Sequence, residues 1–383
     1  VYDCTGCQIL PDVAEKIVHM IDSIPIFEVD IPDLNAPLPS SVSKVDELAI
    51  EAFYSSIEKY SCSKISGLTV LYSALNGTGI NLIPLLLKRH GVKIKLNSVQ
   101  CMSDPNFATC PIPNPEKPEV CATNHSLAQK ENTDIILCSD PDSDRLGVDV
   151  WHQGKFIHLT GNEVGVLLAY YLLNHNKMGY IMRSIVSTPL VDKIATFYGA
   201  KIKLCLTGFK YIGGFLNELD MENKTADFLF GFEESCGYLA GDYIREKDAT
   251  IASLLISELA SECKQNNITL VDKLNEIYAQ FGKYSHKVVS LKLNPNQIAK
   301  EIMQKLRKIL PRNETVSDFI DYSSSQKGLP PTDMLEFNLE KTNVFLRPSG
   351  TEPIIKAYLT VINQDDSVIK TATDTLSNIL SNV

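Results

Sequence analysis

Apolar residues in this chain cluster in short runs that alternate with amphipathic segments. Residues 68–74, 134–139 and 180–186 are near-continuous apolar blocks of strand length, and 92–96 is a strand-length run alternating lysine with apolar residues. Between them, apolar positions recur at helical spacing over 45–59, 80–90, 124–132 and 189–198. Continuous apolar strands separated by helices form parallel sheets covered on both faces. The pattern therefore predicts an α/β fold.

The pattern also repeats. A strand at 68–74 and a helix at 80–90 lead to Gly91-Val92-Lys93-Ile94-Lys95-Leu96. A strand at 180–186 and a helix at 189–198 lead to Gly199-Ala200-Lys201-Ile202-Lys203-Leu204. Each unit then reaches an apolar strand that runs into an acidic loop. The first loop is Asp140-Pro141-Asp142-Ser143-Asp144-Arg145 and the second is Gly231-Phe232-Glu233-Glu234-Ser235-Cys236-Gly237-Tyr238. This is an internal duplication giving two similar domains. Their boundary falls near 155–160, ahead of Thr160-Gly161-Asn162-Glu163, which has the spacing of a helix capping box and reads as structural.

The flanks differ. A helix at 11–24 begins with Pro11, and 25–40 carries Pro25, Pro32, Pro37 and Pro39, which reads as a linker. A helical stretch over 247–281 is followed by a strand at 286–293, a helix at 295–310, strands at 343–346 and 354–361, and a final helix. The expected division is a tail and linker at 1–40, α/β domains at 41–155 and 156–284, and a smaller α+β domain at 285–383.

Composition narrows the function. The net charge of −10 argues against a nucleic-acid binder. No apolar run approaches the ~18 residues of a membrane span, and no signal peptide opens the sequence. Ten scattered cysteines read as free thiols of a reducing cytoplasm. Cys4 and Cys7 have a metal-like spacing, but no second pair completes a zinc site.

The chemistry concentrates in loops at strand ends, where open α/β sheets bind ligands. Asp140, Asp142 and Asp144 offer three oxygen donors in one turn, suited to Mg²⁺. The loop is not an EF-hand, because Arg145 stands where a sharp turn needs Gly and Trp151 where a bidentate Glu belongs. Glu233, Glu234 and Ser235 suit sugar hydroxyls, and adjacent carboxylates do not flank one glycosidic bond from opposite faces. Thr207-Gly208-Phe209-Lys210 adds a cation and an aromatic ring at another strand end. Arg245-Glu246-Lys247-Asp248 reads equally as a solvated helix start. Arg347-Pro348-Ser349-Gly350-Thr351 offers a guanidinium, hydroxyls and backbone N–H groups for a phosphate, without being a Walker loop. Gly77 and Gly79 at a helix start suit either an anion or close packing. None of the seven histidines lies in these loops. Phosphoryl transfer by positioning and electrostatics therefore fits better than a His-based triad.

In this order, these loops resemble the α-D-phosphohexomutase superfamily of phosphoglucomutases and phosphomannomutases over nearly the whole chain. Asp140–Arg145 resembles its metal loop and Thr207–Lys210 its specificity loop. Gly231–Gly237 resembles its sugar-binding loop and Arg347–Thr351 its phosphate-binding loop. The resemblance implies a hexose 1-phosphate/hexose 6-phosphate mutase, with glucose favoured and mannose next. It would work through a phosphoserine, with glucose 1,6-bisphosphate as intermediate and activator. It further implies Mg²⁺ on Asp140, Asp142 and Asp144, and Arg145 and Lys247 beside the transferring group. Thr207, Gly208, Lys210, Glu233 and Ser235 would meet the sugar, and Arg347, Ser349, Gly350 and Thr351 the phosphate. The expected protein is cytoplasmic and acts on a small phosphosugar, with no nucleic-acid or membrane partner.

One departure matters. The family's Thr-x-Ser-His-Asn-Pro nucleophile motif occurs nowhere in the 383 residues. Residues 1–24 resemble the strand and helix that close the family's first domain. The expectation is domains two to four of a mutase, with the serine upstream and a cleaved N-terminal domain as a partner. Alone, such a chain would bind without turning over. The alternatives are a phosphopentomutase and a non-catalytic sugar-phosphate binder. A smaller departure is Asn76, where the family often has His.

Overall fold

The structure, a computed structural model, describes all residues except 26–32, 34–35, 38–39, 41, 43–44, 294–297, 350–352, 365 and 382–383. Most of the proline-rich stretch read as a linker thus lies outside the described residues. So does the expected start of the helix at 295.

The first sheet holds β1 (Thr69–Ser73), β2 (Lys93–Leu96), β3 (Ile135–Ser139), β4 (Leu146–His152) and β5 (Lys155–Leu159), in the order β2-β1-β3-β4-β5. β1, β2 and β3 are parallel, while β4 and β5 return antiparallel. The second sheet holds β6 (Tyr180–Ser184), β7 (Lys201–Cys205), β8 (Phe228–Glu233) and β9 (Gly237–Ala240), in the order β7-β6-β8-β9. β6, β7 and β8 are parallel and β9 antiparallel. The duplication read from the sequence is therefore a repeat of topology. In both units the acidic loop joins the third strand to an antiparallel fourth.

Burial explains the apolar runs. Every residue of β3 and of β8 is buried. The helices Gly161–Asn174 and Ala249–Gln265 are apolar on nearly all sides and almost wholly buried, as core helices must be. One continuous core runs through both units, from Tyr54, Tyr72 and Leu137 to Phe230, Phe232 and Leu255. The capping box at Thr160 forms as expected, with the Glu163 backbone N–H donating to Thr160 Oγ1 at 3.3 Å.

The C-terminal domain is an antiparallel sheet of β10 (Tyr284–Lys292), β11 (Val316–Asp321), β12 (Leu335–Leu339), β13 (Thr342–Pro348) and β14 (Ile354–Ile362). Their order is β10-β14-β13-β12-β11. It has its own core around Met303, Leu306, Phe337 and Leu359. Ile185, Val186 and Leu206 of the second unit meet its Tyr322, Phe345 and Tyr358.

Several details differ from the sequence reading, with β9, β11 and β12 among the strands it did not include. The segment before Pro11 is not a strand. The Asp3 carboxylate accepts the backbone N–H groups of Thr5 at 2.8 Å and Cys7 at 3.3 Å, so a local turn forms instead, closed by a Tyr2–Gln8 bridge. The stretch over 247–281 breaks at Asn267, whose φ of +57° ends the first helix, and Thr269 caps the next. The hairpin of β4 and β5 was not anticipated, although Leu146, Val148 and Val150 alternate with Gly147 and Asp149 as strand residues do. Among the described residues, no helix is long and apolar enough to cross a membrane.

Candidate active site

Asp140 ends β3 and organises its own loop. It is buried, and its Oδ1 accepts the backbone N–H groups of Asp144 at 3.0 Å and Arg145 at 2.9 Å. Ser143 takes a φ of +63°, and the chain turns back into β4 through the six residues Asp140–Arg145. The turn gathers the three carboxylates: one oxygen from each of Asp140, Asp142 and Asp144 lies within 4.8 Å of the others. Asp142 is exposed and makes no hydrogen bond among the described residues. Asp144 Oδ1 is buried without a hydrogen-bond partner. An orphaned acceptor inside an all-oxygen cluster fits a hard cation such as Mg²⁺.

Two cations approach the cluster. Lys247 Nζ lies 2.7 Å from Asp144 and 3.0 Å from Glu246. Burial would push Lys247 down, but these two carboxylates hold it up at about 12. Arg145 Nε lies 3.8 Å from Asp140 and 3.7 Å from Asp144. Lys247 is therefore part of the acidic cluster and not a solvated helix start. Arg245 instead has a structural role, donating to Asn217 Oδ1 and the Asp242 carbonyl.

The two acidic loops meet. The Leu146 N–H donates to the Cys236 carbonyl at 3.0 Å, and the Ala249 N–H to the Ser143 carbonyl at 3.1 Å. Arg145 and Gly237 form a backbone bridge. A Cβ on Gly237 would lie 2.3 Å from Lys247 Cδ, so the lysine crosses where the loop has no side chain.

Beyond this junction sits Glu233, buried at the end of β8. It accepts the Gly208 N–H at 2.6 Å, which ties the Thr207–Lys210 loop to the Glu233 loop. Burial and the neighbouring Glu234 push Glu233 up to about 7. Glu234 is already engaged by Ser184 Oγ at 3.0 Å and Ser187 Oγ at 3.2 Å, which leaves Glu233 with more free acceptor capacity. Thr207, Lys210 and Ser235 are half-buried at the same edge. Lys210 Nζ stands 5.4 Å from the centre of the Tyr211 ring.

The Arg347 guanidinium acts from the C-terminal domain. It draws down the phenols of Tyr211 and Tyr358, both of which burial raises. Glu234 acts on Tyr358 in the opposite sense. Arg347 thus lies within electrostatic reach of Tyr211 of the second unit. The Ser349 N–H closes the hairpin onto the Ile354 carbonyl at 2.9 Å. Gly350 and Thr351 lie outside the described residues.

Sequence reading missed Glu116, left Gly77 open between an anion and close packing, and left Asn76 without a role. Glu116 comes within 3.9 Å of Arg145 from a proline-rich loop that carries no signal of a site. Gly77 packs against the acidic loop: its Cβ would fall 2.2 Å from Pro141 Cα, and the Thr78 N–H donates to the Pro141 carbonyl at 2.9 Å. The Gly77–Gly79 turn therefore buttresses the loop by close packing. Asn76 is structural too, its amide donating to the carbonyls of Val99 and Met102.

Comparison with known proteins follows from this geometry. Residues 50–152 match the family model described as phosphoglucomutase/phosphomannomutase alpha/beta/alpha domain II, and residues 160–281 match that of domain III. A phosphoglucomutase of Staphylococcus haemolyticus is 33% identical over 390 residues, covering 94% of this chain and 70% of that protein. The chain belongs to the phosphoglucomutase/phosphomannomutase family. A phosphomannomutase of Mycoplasma genitalium is also 33% identical, over 375 residues, covering 95% of this chain and 66% of its own length. The chain thus spans about two thirds of these family members. A solved phosphoglucomutase/phosphomannomutase family protein from Burkholderia thailandensis shares the fold with a TM-score of 0.64 at 18% identity, covering 87% of this chain and 64% of its own.

The buried acids set a pH dependence. Burial, then the charges of Asp144 and Asp142, push Asp140 up to about 8. Native Asp140 and Glu233 keep protons that the unfolded chain has already lost, so stability falls as pH rises from about 4 to about 8. A cation on the acidic loop offsets the Asp140 part of this loss. Metal-free melting temperature should drop across that range, and Mg²⁺ should raise it much more at the alkaline end than at the acid end. Thermal melts at equal ionic strength check this, and an equal Mg²⁺ effect at both ends would contradict it.

Proposed function

We propose that this chain forms the metal-, sugar- and phosphate-binding part of a cytoplasmic, Mg²⁺-dependent phosphohexomutase. It interconverts hexose 1-phosphate and hexose 6-phosphate, with glucose preferred to mannose. The observation that carries this reading is the hydrogen-bonded junction of the two acidic loops, which sets a three-carboxylate cluster beside Lys247 and next to the Glu233 hairpin.

Asp140, Asp142 and Asp144 hold Mg²⁺, which when bound supplies positive charge to a transferring phosphoryl group. Arg145 and Lys247 add fixed positive charge at the same place, in a partly buried setting where it acts more strongly than in water. Glu233 and Ser235 accept sugar hydroxyls, and Thr207, Gly208 and Lys210 shape the sugar pocket. Arg347 and Ser349, with Gly350 and Thr351, grip the phosphate that is not reacting, the guanidinium providing paired contacts. Domains at 41–155, 156–284 and 285–383 divide this work. Glucose 1,6-bisphosphate is the intermediate and activator, and the phosphoryl-carrying serine is supplied from outside the 383 residues.

Calorimetric titration of the chain with glucose 1,6-bisphosphate tests the reading. Binding should require both Mg²⁺ and an intact Arg347, and binding that ignores both would overturn it. The chain by itself should leave glucose 1-phosphate unconverted. Conversion without an added phosphoserine domain would refute the external serine.

A further inference from the structure

Glu116 reaches the site from outside both acidic loops. It stands in the proline-rich loop just ahead of the helix Pro118–Ala122. That loop is mounted on β4. A Cβ on Gly147 would lie 2.8 Å from the Pro115 carbonyl oxygen and 2.9 Å from Pro115 Cβ, so the loop rests where the strand has no side chain. The Glu116 N–H donates to Asn114 Oδ1 at 3.0 Å, and the Lys117 N–H to the Asn114 carbonyl at 3.1 Å, which closes the turn. Gly147 lies two positions after Arg145, so the mount fixes the Glu116 backbone relative to that arginine.

The Arg145 guanidinium stands off from three carboxylates at once. Its Nε lies 3.8 Å from Asp140 and 3.7 Å from Asp144, and its Nη1 lies 3.9 Å from Glu116. All three exceed hydrogen-bond length, whereas Lys247 sits on Asp144 at 2.7 Å. Arg145 is therefore shared between the acids of its own loop and one acid outside it.

We propose that Glu116 is a positioning residue, which holds the Arg145 guanidinium off the three-carboxylate cluster and turned toward the transferring phosphoryl group.

The proposal rests on the reading of Asp140, Asp142 and Asp144 as Mg²⁺ ligands. Arg145 follows Asp144 directly in the chain, so its guanidinium is a built-in rival of Mg²⁺ for the same oxygens. Like charges repel, and a cation on the cluster uses up the attraction of Asp140 and Asp144 for Arg145. Glu116 then remains as the carboxylate that still orients it. Both side chains of this pair are about one-third exposed. Such a pair is weak, so the guanidinium can exchange it for the paired contacts that a phosphoryl group offers. Glu116 also lies within reach of the second acidic loop. Burial raises the Cys236 thiol and the Tyr238 phenol, and the charge of Glu116 adds to both. An arginine drawn toward Glu116 is thus drawn toward the junction of the two loops.

Calorimetric Mg²⁺ titration of the chelator-stripped full chain tests this in four proteins: wild type, Glu116→Gln, Arg145→Met and the double variant. Without Glu116 the guanidinium should settle on Asp140 and Asp144 and compete with the metal. Glu116→Gln alone should therefore weaken Mg²⁺ binding about fivefold, the size of one partly exposed ion pair. In the Arg145→Met background the same change should have no effect, because the rival is gone. Glu116→Ser takes its place if the Gln variant does not fold. An equal loss in both backgrounds would make Glu116 a general source of negative charge and overturn the proposal, as would undiminished Mg²⁺ affinity in the single variant. A wild-type chain that takes up no Mg²⁺ would instead overturn the metal reading, and the proposal with it.

Discussion

Replacing Asp142 with Asn should cut mutase turnover by about a hundred- to a thousandfold and leave the metal-free protein at least as stable, since the Asp142 charge adds to the repulsion on buried Asp140. The magnitude is that of removing one preorganised electrostatic contact to a transferring group. Asp142 is the informative choice among the three acids. Asp140 carries its loop through two backbone hydrogen bonds, and Asp144 pairs with Lys247, so changing either also disturbs structure. Asp142 is exposed and unbonded among the described residues, which leaves cation binding as its only evident task. The assay belongs on the protein supplied with its phosphoserine, with glucose 1-phosphate as substrate and Mg²⁺ varied. A variant retaining most of its turnover at limiting Mg²⁺ would remove Asp142 from the metal site.

Gly77→Ala should destabilise the fold by about 3 kcal/mol, the upper end of ordinary overpacking, and weaken Mg²⁺ binding with it. The added methyl would meet Pro141 Cα at 2.2 Å, its carbonyl oxygen at 2.5 Å and its carbonyl carbon at 2.7 Å. All three belong to backbone, so no side-chain rotation relieves the clash. The acidic loop must retreat, losing the Thr78 N–H to Pro141 hydrogen bond that fixes its height. Gly214→Ala is the matched control. It lies inside the helix Lys210–Met221 with nothing within 4 Å of its added Cβ, so helix propensity should leave it neutral or slightly stabilising. Denaturant melts and Mg²⁺ titrations of the pair decide the matter. Equal behaviour of the two variants would mean that the Gly77 turn does not buttress the loop.

The parts of this molecule legible in its sequence are the local ones. The apolar runs of β1, β3 and β8 marked buried strands, since only strands covered on both faces can be apolar throughout. Three carboxylates at alternate positions after one of them marked the acidic cluster that the loop gathers. The two Lys-Ile-Lys-Leu strands exposed the duplication before any sheet order was known. The unread parts depend on distant neighbours. Nothing local distinguishes Glu116, and Gly77 stayed open between an anion and close packing, because each is defined by what lies opposite in space, Arg145 and Pro141. Lys247 was equally a solvated residue or a site residue until Gly237 gave it room to cross to Asp144. The Tyr2–Gln8 turn was lost to a strand reading because one Asp side chain can outcompete a sheet partner.

The shared core and the bonded loops of the two α/β units bear on how such a protein can change over generations. A duplicated domain usually drifts as a free module, to be shuffled, lost or replaced. Here each copy lends the other part of its interior and the last turns of its key hairpin. Neither copy can be deleted or exchanged without leaving an open face on its twin. Heredity must therefore treat the pair as a single object. The C-terminal domain, with a core of its own, remains the piece most open to substitution and to new specificity.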